Sequence, residues 1–417
     1  MVVKYSSKPV FIATLICIFV FYSGLFKIPE RYHFNTLCNS QEITFVAGNI
    51  LSSPVKSQTG KTYSALFEVT RVKSKSGVIS DATGRITVYI PSNLVEAYFP
   101  GKLYSSAKKG AYLYEAGGYY EFYGSFSDNG FMAKECKTQL WPENTYGKID
   151  KFRALCRLQF KRLMFSWGEA GGLLLALLCG AKEYTDSVTA TSFKNAGLSH
   201  ILALSGMHLS MFSAIAMFFG KKIGRKKLSF IIRIIALILF VWFAGLSPSL
   251  LRAFICALLT VFATMSGVEQ PDMVLILCFS FLLQSVISPS DISNVGFMLS
   301  YGALAGILLT SKFFNQFYTK IFPKSISASL SASTGAQVFT APISLKIFGS
   351  FSPVGIIATT VVSPLVTIFI YAGLLLIVLS LIIPVIQRPS GIFINFLYTI
   401  IKFTVSFFAR APNWSIN

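Results

Sequence analysis

Ala196-Gly197-Leu198-Ser199-His200-Ile201-Leu202-Ala203-Leu204-Ser205-Gly206-Met207-His208-Leu209-Ser210 sets two histidines, three serines and two glycines at the head of an apolar run that continues to Phe219. Hydrocarbon does not select such residues. Polar and ionisable groups are costly at membrane depth, so they face a cavity, a neighbouring helix or a substrate path. His200 and His208 are eight residues apart, about two turns of a continuous helix, so the spacing predicts a shared face. Ser205-Gly206 is a point where that helix can unwind, and irregular backbone at such depth lines a cavity or is buried in protein. For the histidines two readings stand together: a hydrogen bond to a neighbouring helix, or contact with and gating of a translocated substrate.

Outward from this stretch the same character holds. The 417 residues are 53% hydrophobic and 13% charged, with mean hydropathy +0.61; soluble domains carry about twice that charged fraction. The expectation is a polytopic α-helical membrane protein. Apolar runs fall at 10–26, 171–180, 201–219, 230–246, 251–265, 274–287, 297–310, 336–348, 354–383 and 392–408, and about eight of them are expected to span or half-span a bilayer. Residues 1–35 read as an uncleaved first helix with flanks and a cytoplasmic N-terminus: Lys4 and Lys8 precede it, and Lys27, Pro29 and Arg31 follow in place of a small-residue cleavage site. Lys221, Lys222, Arg225, Lys226 and Lys227 mark a cytoplasmic loop. Pro364 predicts either a kinked helix or two half-spans over 354–383.

Residues 36–148 differ in kind. Five strand-like pieces, 43–48, 63–72, 85–90, 119–126 and 130–134, are separated by turn signals such as Gly117-Gly118 and Asp128-Asn129-Gly130. Arg85-Ile86-Thr87-Val88-Tyr89-Ile90 alternates with period two. The expectation is a small extracytoplasmic β-barrel, an OB-type barrel being one candidate. Its tyrosines and phenylalanines read first as core and second as a stacking platform for bases. Cys38 and Cys136, of seven cysteines, lie near the two ends of this insert. A disulfide closing the domain and a pair of free thiols are both open. Residues 149–167 carry Arg153, Arg157, Lys161 and Arg162 among apolar residues, the pattern of a basic amphipathic helix at the headgroup layer.

Net charge is +20, and beyond Asp291 there is no carboxylate. Topology signalling explains this; so does a path that must not repel a polyanion. Arg252, just inside an apolar segment, either snorkels to headgroups or contacts phosphate. Gly302 and Gly306 form a small-xxx-small face suited to close helix packing. With three histidines, His33, His200 and His208, no metal-ligand run and no phosphate-binding glycine loop, neither a zinc hydrolase nor an ATPase is expected. The reading is a non-enzyme with no cofactor and no metal.

At these residues the chain resembles the ComEC family of competence proteins. The resemblance runs through residues 173–210, then Phe243-Ala244-Gly245-Leu246-Ser247-Pro248-Ser249-Leu250-Leu251-Arg252-Ala253, Gly296-Phe297-Met298-Leu299-Ser300-Tyr301, Ala336-Gln337 to Pro342, Phe348-Gly349 and Ser363-Pro364-Leu365, in family order over roughly 168–381. It implies that 168–417 is a helical channel domain of the bacterial cytoplasmic membrane, passing one strand of DNA inward during natural transformation. It implies an OB-type domain in the insert. Ser199, His200, Ser205, Gly206, His208, Ser249, Arg252, Ser300 and Gln337 are the DNA-path or gating candidates, and Gly245, Gly302, Gly306, Pro342 and Pro364 the packing positions. Implied partners are single-stranded DNA, an extracytoplasmic DNA receptor and cytoplasmic single-strand-binding or helicase proteins; a homo-oligomer is left open. Many family members add a metallo-β-lactamase-like domain. This chain lacks the histidines for one, so a separate nuclease is expected to degrade the other strand. Met207, Ser210, Met298 and Thr359 depart from the residues usual in the family. The rival readings are a small-molecule or lipid transporter, and a membrane scaffold whose insert recruits a partner.

Overall fold

The computed structural model describes residues 8–23, 34–57, 60–98, 111–127, 130–181, 184–222, 226–412 and 414–415. Lys4, Lys27, Pro29, Arg31, His33, the Asp128-Asn129 turn and Arg225 lie outside the described residues. The chain divides into a strand unit, Glu30–Leu175 with Ala181–Tyr184, and a helical unit, Met1–Pro29, Ala176–Gly180 and Thr185–Asn417. Helix α1 (Pro9–Tyr22) opens the helical unit.

In the strand unit five strands close a ring: β1 (Ile43–Ile50), β2 (Thr62–Ser74), β3 (Arg85–Pro91), β4 (Tyr119–Ser127) and β5 (Gly130–Leu140). β1 pairs with β2 and β4, β2 with β3, and β4 with β5, all antiparallel; a parallel β3–β5 contact completes the circuit. Period-two alternation, interrupted once in β2 where Thr70 and Arg71 are both exposed, sends Val46, Ile50, Phe67, Val69, Val72, Val88, Ile90, Tyr120, Phe122 and Phe131 into one core. A helix, α2 (Ser92–Tyr98), follows β3. The strand Ile79–Thr83, which is not among the five pieces expected from sequence, pairs with β2. The aromatic residues divide: Tyr114, Tyr120 and Phe122 stack inside with centroids 5.4–6.0 Å apart, while Tyr119 and Tyr123 sit on the outer face, half-buried. The closing disulfide is not formed. Cys38 and Cys136 are both free thiols: Cys38 Sγ contacts Ser80 Oγ at 3.4 Å, and Cys136 Sγ donates to the Thr138 carbonyl at 3.5 Å. Burial pushes the Cys136 thiol up to about 11.

Helix α3 (Thr145–Phe165), capped by Asn144, does not turn all its cations outward as a simple interfacial helix would. Glu115 is buried against it. Lys161 Nζ lies 2.9 Å from Glu115 Oε1, Arg157 Nε 3.4 Å from Oε2, and Ser53 Oγ donates to Oε2 at 2.5 Å. Burial alone would raise this carboxyl; Lys161, Arg157 and Ser53 outweigh it and hold the group at about 2.

The helical unit continues through α4 (Gly168–Cys179), which the two units share, α5 (Ser187–Asn195), α6 (Ser199–Leu202), α7 (Gly206–Lys222), α8 (Lys226–Ala244), α9 (Pro248–Met265), α10 (Met273–Ile287), α11 (Val295–Tyr318), α12 (Lys324–Phe348), α13 (Gly355–Ile382) and α14 (Gln387–Phe408). Among the described residues, Pro248–Met265, Val295–Tyr318, Gly355–Ile382 and Pro384–Phe408 are long and apolar enough to cross a membrane, and five shorter apolar helices accompany them. The chain has the make-up of a polytopic membrane protein. α13 runs unbroken through Pro364 for 28 residues. α12 begins well before the apolar run that marked it. Its first half is serine-rich because it packs closely on α11: a β-carbon on Gly306 would collide with the Gly335 carbonyl, and Ser331 Oγ turns back to the Ser327 carbonyl at 2.6 Å. Gly302 is roomier, with Ile343 Cδ1 3.5 Å from a β-carbon placed there.

Candidate functional site

The run that opens on Ser199 is two helices. α6 ends at Leu202, Ala203 is extended, and α7 starts at Gly206. The two histidines therefore do not share one helix face, and the shared-face expectation is corrected. His200 and Ser199 are exposed on α6, whereas His208 on α7 is 1% exposed. The interruption is stabilised by side chains, as irregular backbone among apolar helices requires. Ser249 Oγ donates to the Leu204 carbonyl at 2.9 Å. His208 Nδ1 accepts the Ser205 N–H at 3.2 Å, with Ser205 Oγ 3.3 Å away. A ring nitrogen that accepts an N–H carries no proton, so the proton sits on Nε2. That atom is buried with no hydrogen-bond partner among the described residues.

The turn between α8 and α9 delivers the second half of the site. Gly245 ends α8 with φ +93°, a conformation glycine adopts without cost. Ser247 Oγ accepts the Leu250 N–H at 3.3 Å, and Pro248 opens α9. One turn later Arg252, 9% exposed, points into the unit rather than snorkelling outward. Its Nη1 donates to the Ser300 carbonyl on α11 at 2.7 Å, and its Cζ lies 6.0 Å from the Tyr301 ring centroid. A β-carbon on Gly206 would come within 3.3 Å of Nη2, so residue 206 is small where the guanidinium passes. No carboxylate pairs with Arg252 among the described residues.

Six nominated residues, Ser205, Gly206, His208, Ser249, Arg252 and Ser300, thus come together, Ser300 through its carbonyl rather than its hydroxyl. Gln337 does not join them. A β-carbon on Gly355 would lie 2.8 Å from Gln337 Nε2 and 3.3 Å from the Gly197 carbonyl, which puts Gln337 beside the turn leading into Ser199 and His200. There Ser352 Oγ donates to the Asn195 carbonyl at 3.0 Å. Pro342 lies within α12 without ending it.

A polar network beneath Arg252 escaped the sequence reading. Tyr301 Oη donates to Gln284 Oε1 at 3.0 Å and lies 3.0 Å from Ser280 Oγ. Gln284 Nε2 donates to Asp291 Oδ2 at 2.9 Å and to the Pro248 carbonyl at 3.1 Å. The available signal was Ser280 and Gln284 one turn apart in the otherwise apolar α10.

The family described as Competence protein matches residues 177–417. ComE operon protein 3 of Bacillus subtilis (strain 168) is 27% identical over 226 residues, 51% of this chain and 27% of that protein. The chain therefore spans about a quarter of the length of the curated relative it matches. No solved structure matches.

Proposed function

Because the chain belongs to the Competence protein family, of the ComEC type, we propose that it is a cytoplasmic-membrane channel that passes a single strand of DNA inward during natural transformation. The observation that carries this reading is Arg252: a guanidinium inside an apolar helical unit, beside an interrupted helix, with a carbonyl and a ring for partners and no carboxylate. A buried cation without a counter-ion is costly. A phosphodiester passing the interruption supplies the missing charge, and guanidinium suits phosphate. His208 Nε2–H adds a buried donor to the same path.

In this reading the strand ring is an OB-type domain outside the cytoplasm. Its five-strand circuit with one parallel pair supports that assignment. An extracytoplasmic DNA receptor delivers the substrate, a separate nuclease removes the other strand, and cytoplasmic single-strand-binding or helicase proteins receive the product. The test is uptake of labelled double-stranded DNA in a transformable host with and without this chain. Deletion should leave label outside the cytoplasmic membrane, open to added nuclease; unchanged internalisation would sink the proposal and favour transport of small molecules or lipids.

A further inference from the structure

A second arginine lies inside the helical unit. Arg233 stands two turns into α8, four residues before Leu237 and seven before Phe240. These spacings put it on the face that Leu237, Phe240 and Ala244 bury against α7 and α9, whereas Leu228, Ile231, Ile235, Ile238 and Leu239 turn outward. Arg233 Nε donates to Oγ of the buried Ser213 on α7 at 2.6 Å. Phe212 and Phe240 stack across the same two helices, with centroids 4.3 Å apart, which fixes the pair. Ser213 lies seven residues beyond Gly206, the residue that Arg252 passes. Seven residues are about 10 Å of helix and return to the same face within about 20°. One face of α7 therefore meets both arginines. No carboxylate occurs between residues 187 and 268, and Arg233 makes no ion pair among the described residues.

We propose that Arg233, aimed by Ser213, is a second phosphate contact for the translocated strand, on the same side of α7 as Arg252. The proposal rests on the channel reading for its substrate. With Nε held by the serine, Nη1 and Nη2 make no hydrogen bond among the described residues. That edge offers two parallel N–H donors, the fork that fits a phosphodiester. A hydrogen bond to Ser213 needs no charge, so a neutral residue would tie α7 to α8 without the cost of a cation among apolar helices. A strand carries a phosphate at every nucleotide. Conduction needs each site strong enough to be entered and weak enough to be left, and two arginines along one face let one phosphate be taken up as another is released. An anionic lipid headgroup offers the same phosphate chemistry, but the apolar face that α8 turns outward is not the one that carries Arg233.

The experiment measures how fast labelled double-stranded DNA becomes nuclease-protected in a transformable host, with each variant at matched membrane levels. Arg233→Gln lowers the rate roughly tenfold or more, the loss of a charge-assisted hydrogen bond. Arg233→Lys keeps the charge without the fork and falls between Arg233→Gln and wild type. Ser213→Ala leaves the guanidinium unaimed and lowers the rate less than Arg233→Gln does. The purified Arg233→Gln chain melts in detergent at or above the wild-type temperature. In vesicles of phosphatidylcholine with and without phosphatidylglycerol, it shows the same lipid-dependent shift in melting as the wild type. Entry at the wild-type rate in Arg233→Gln overturns the proposal. So does lost entry accompanied by a lower melting temperature, the mark of a structural residue, or by loss of the phosphatidylglycerol response, which puts a lipid headgroup at Arg233. If deleting the chain leaves entry unchanged, the channel reading falls; if deletion blocks entry and Arg233→Gln does not slow it, only the second contact falls.

Discussion

Arg252 is stabilised by a carbonyl at 2.7 Å and by the face of Tyr301, a cation–π contact worth about 2 kcal/mol when desolvated. That falls short of the several kcal/mol that burying an ion costs. The position therefore separates function from stability. Arg252→Gln should leave the melting temperature in detergent unchanged or higher, since replacing a buried ion by a neutral group is often neutral or stabilising, while DNA uptake falls at least tenfold. A fall in both together would mark Arg252 as a structural residue. Glu115 behaves in the opposite way. Glu115→Gln leaves Arg157 and Lys161 without their carboxylate and should destabilise the strand unit by about 3–5 kcal/mol. The pH dependence has a definite sign. The folded carboxyl sits at about 2, below the unfolded value of about 4.3. Its contribution is complete above that unfolded value and is lost as pH falls from there towards 2. Hydrogen exchange of the β1 and β4 amides in the full chain should show protection that is flat from neutral pH to about 4.3 and declines below. In Glu115→Gln that decline should be reduced; an unchanged acid profile would assign it to other carboxylates.

At the level of elements, the interruption between α6 and α7 is the feature on which the site depends. Ser249 supplies the hydroxyl that satisfies the Leu204 carbonyl, so Ser249→Ala leaves that acceptor unpaired at a cost of about 1–3 kcal/mol. The expected outcome is faster hydrogen exchange across 203–209; equal exchange would mean that the interruption is stable without the serine. The interruption was legible in the sequence because Ser205-Gly206 sits in an apolar run. Its consequence for the histidines was not, because an eight-residue spacing implies a shared face only along an unbroken helix. The ring strands were legible from alternation and turns, since each faces water on one side. The first half of α12 was not: serines 325, 327, 329, 331 and 333 look like loop until Gly306 and Gly335 show that two backbones meet there. The Glu115–Arg157–Lys161 cluster and the Tyr301–Gln284–Asp291 network join residues distant in sequence, and no local pattern marks such pairs.

Across the whole molecule, the two units divide the proposed labour: a ring of strands placed outside the cytoplasm, and a helical unit whose buried cation lacks a carboxylate. The absence of carboxylates beyond Asp291 agrees with a path for a polyanion, and the family match covers the helical unit's larger part. The measurement that bears most directly on the buried polar site is the rate at which labelled DNA becomes nuclease-protected in a transformable host. That host should carry wild type, Arg252→Gln or His208→Ala at matched membrane levels. The account predicts that both variants bind DNA at the cell surface as wild type does, yet protect at most a tenth as much. Protection at the wild-type rate in both would contradict it and remove the α7–α9–α11 site from the path of the strand.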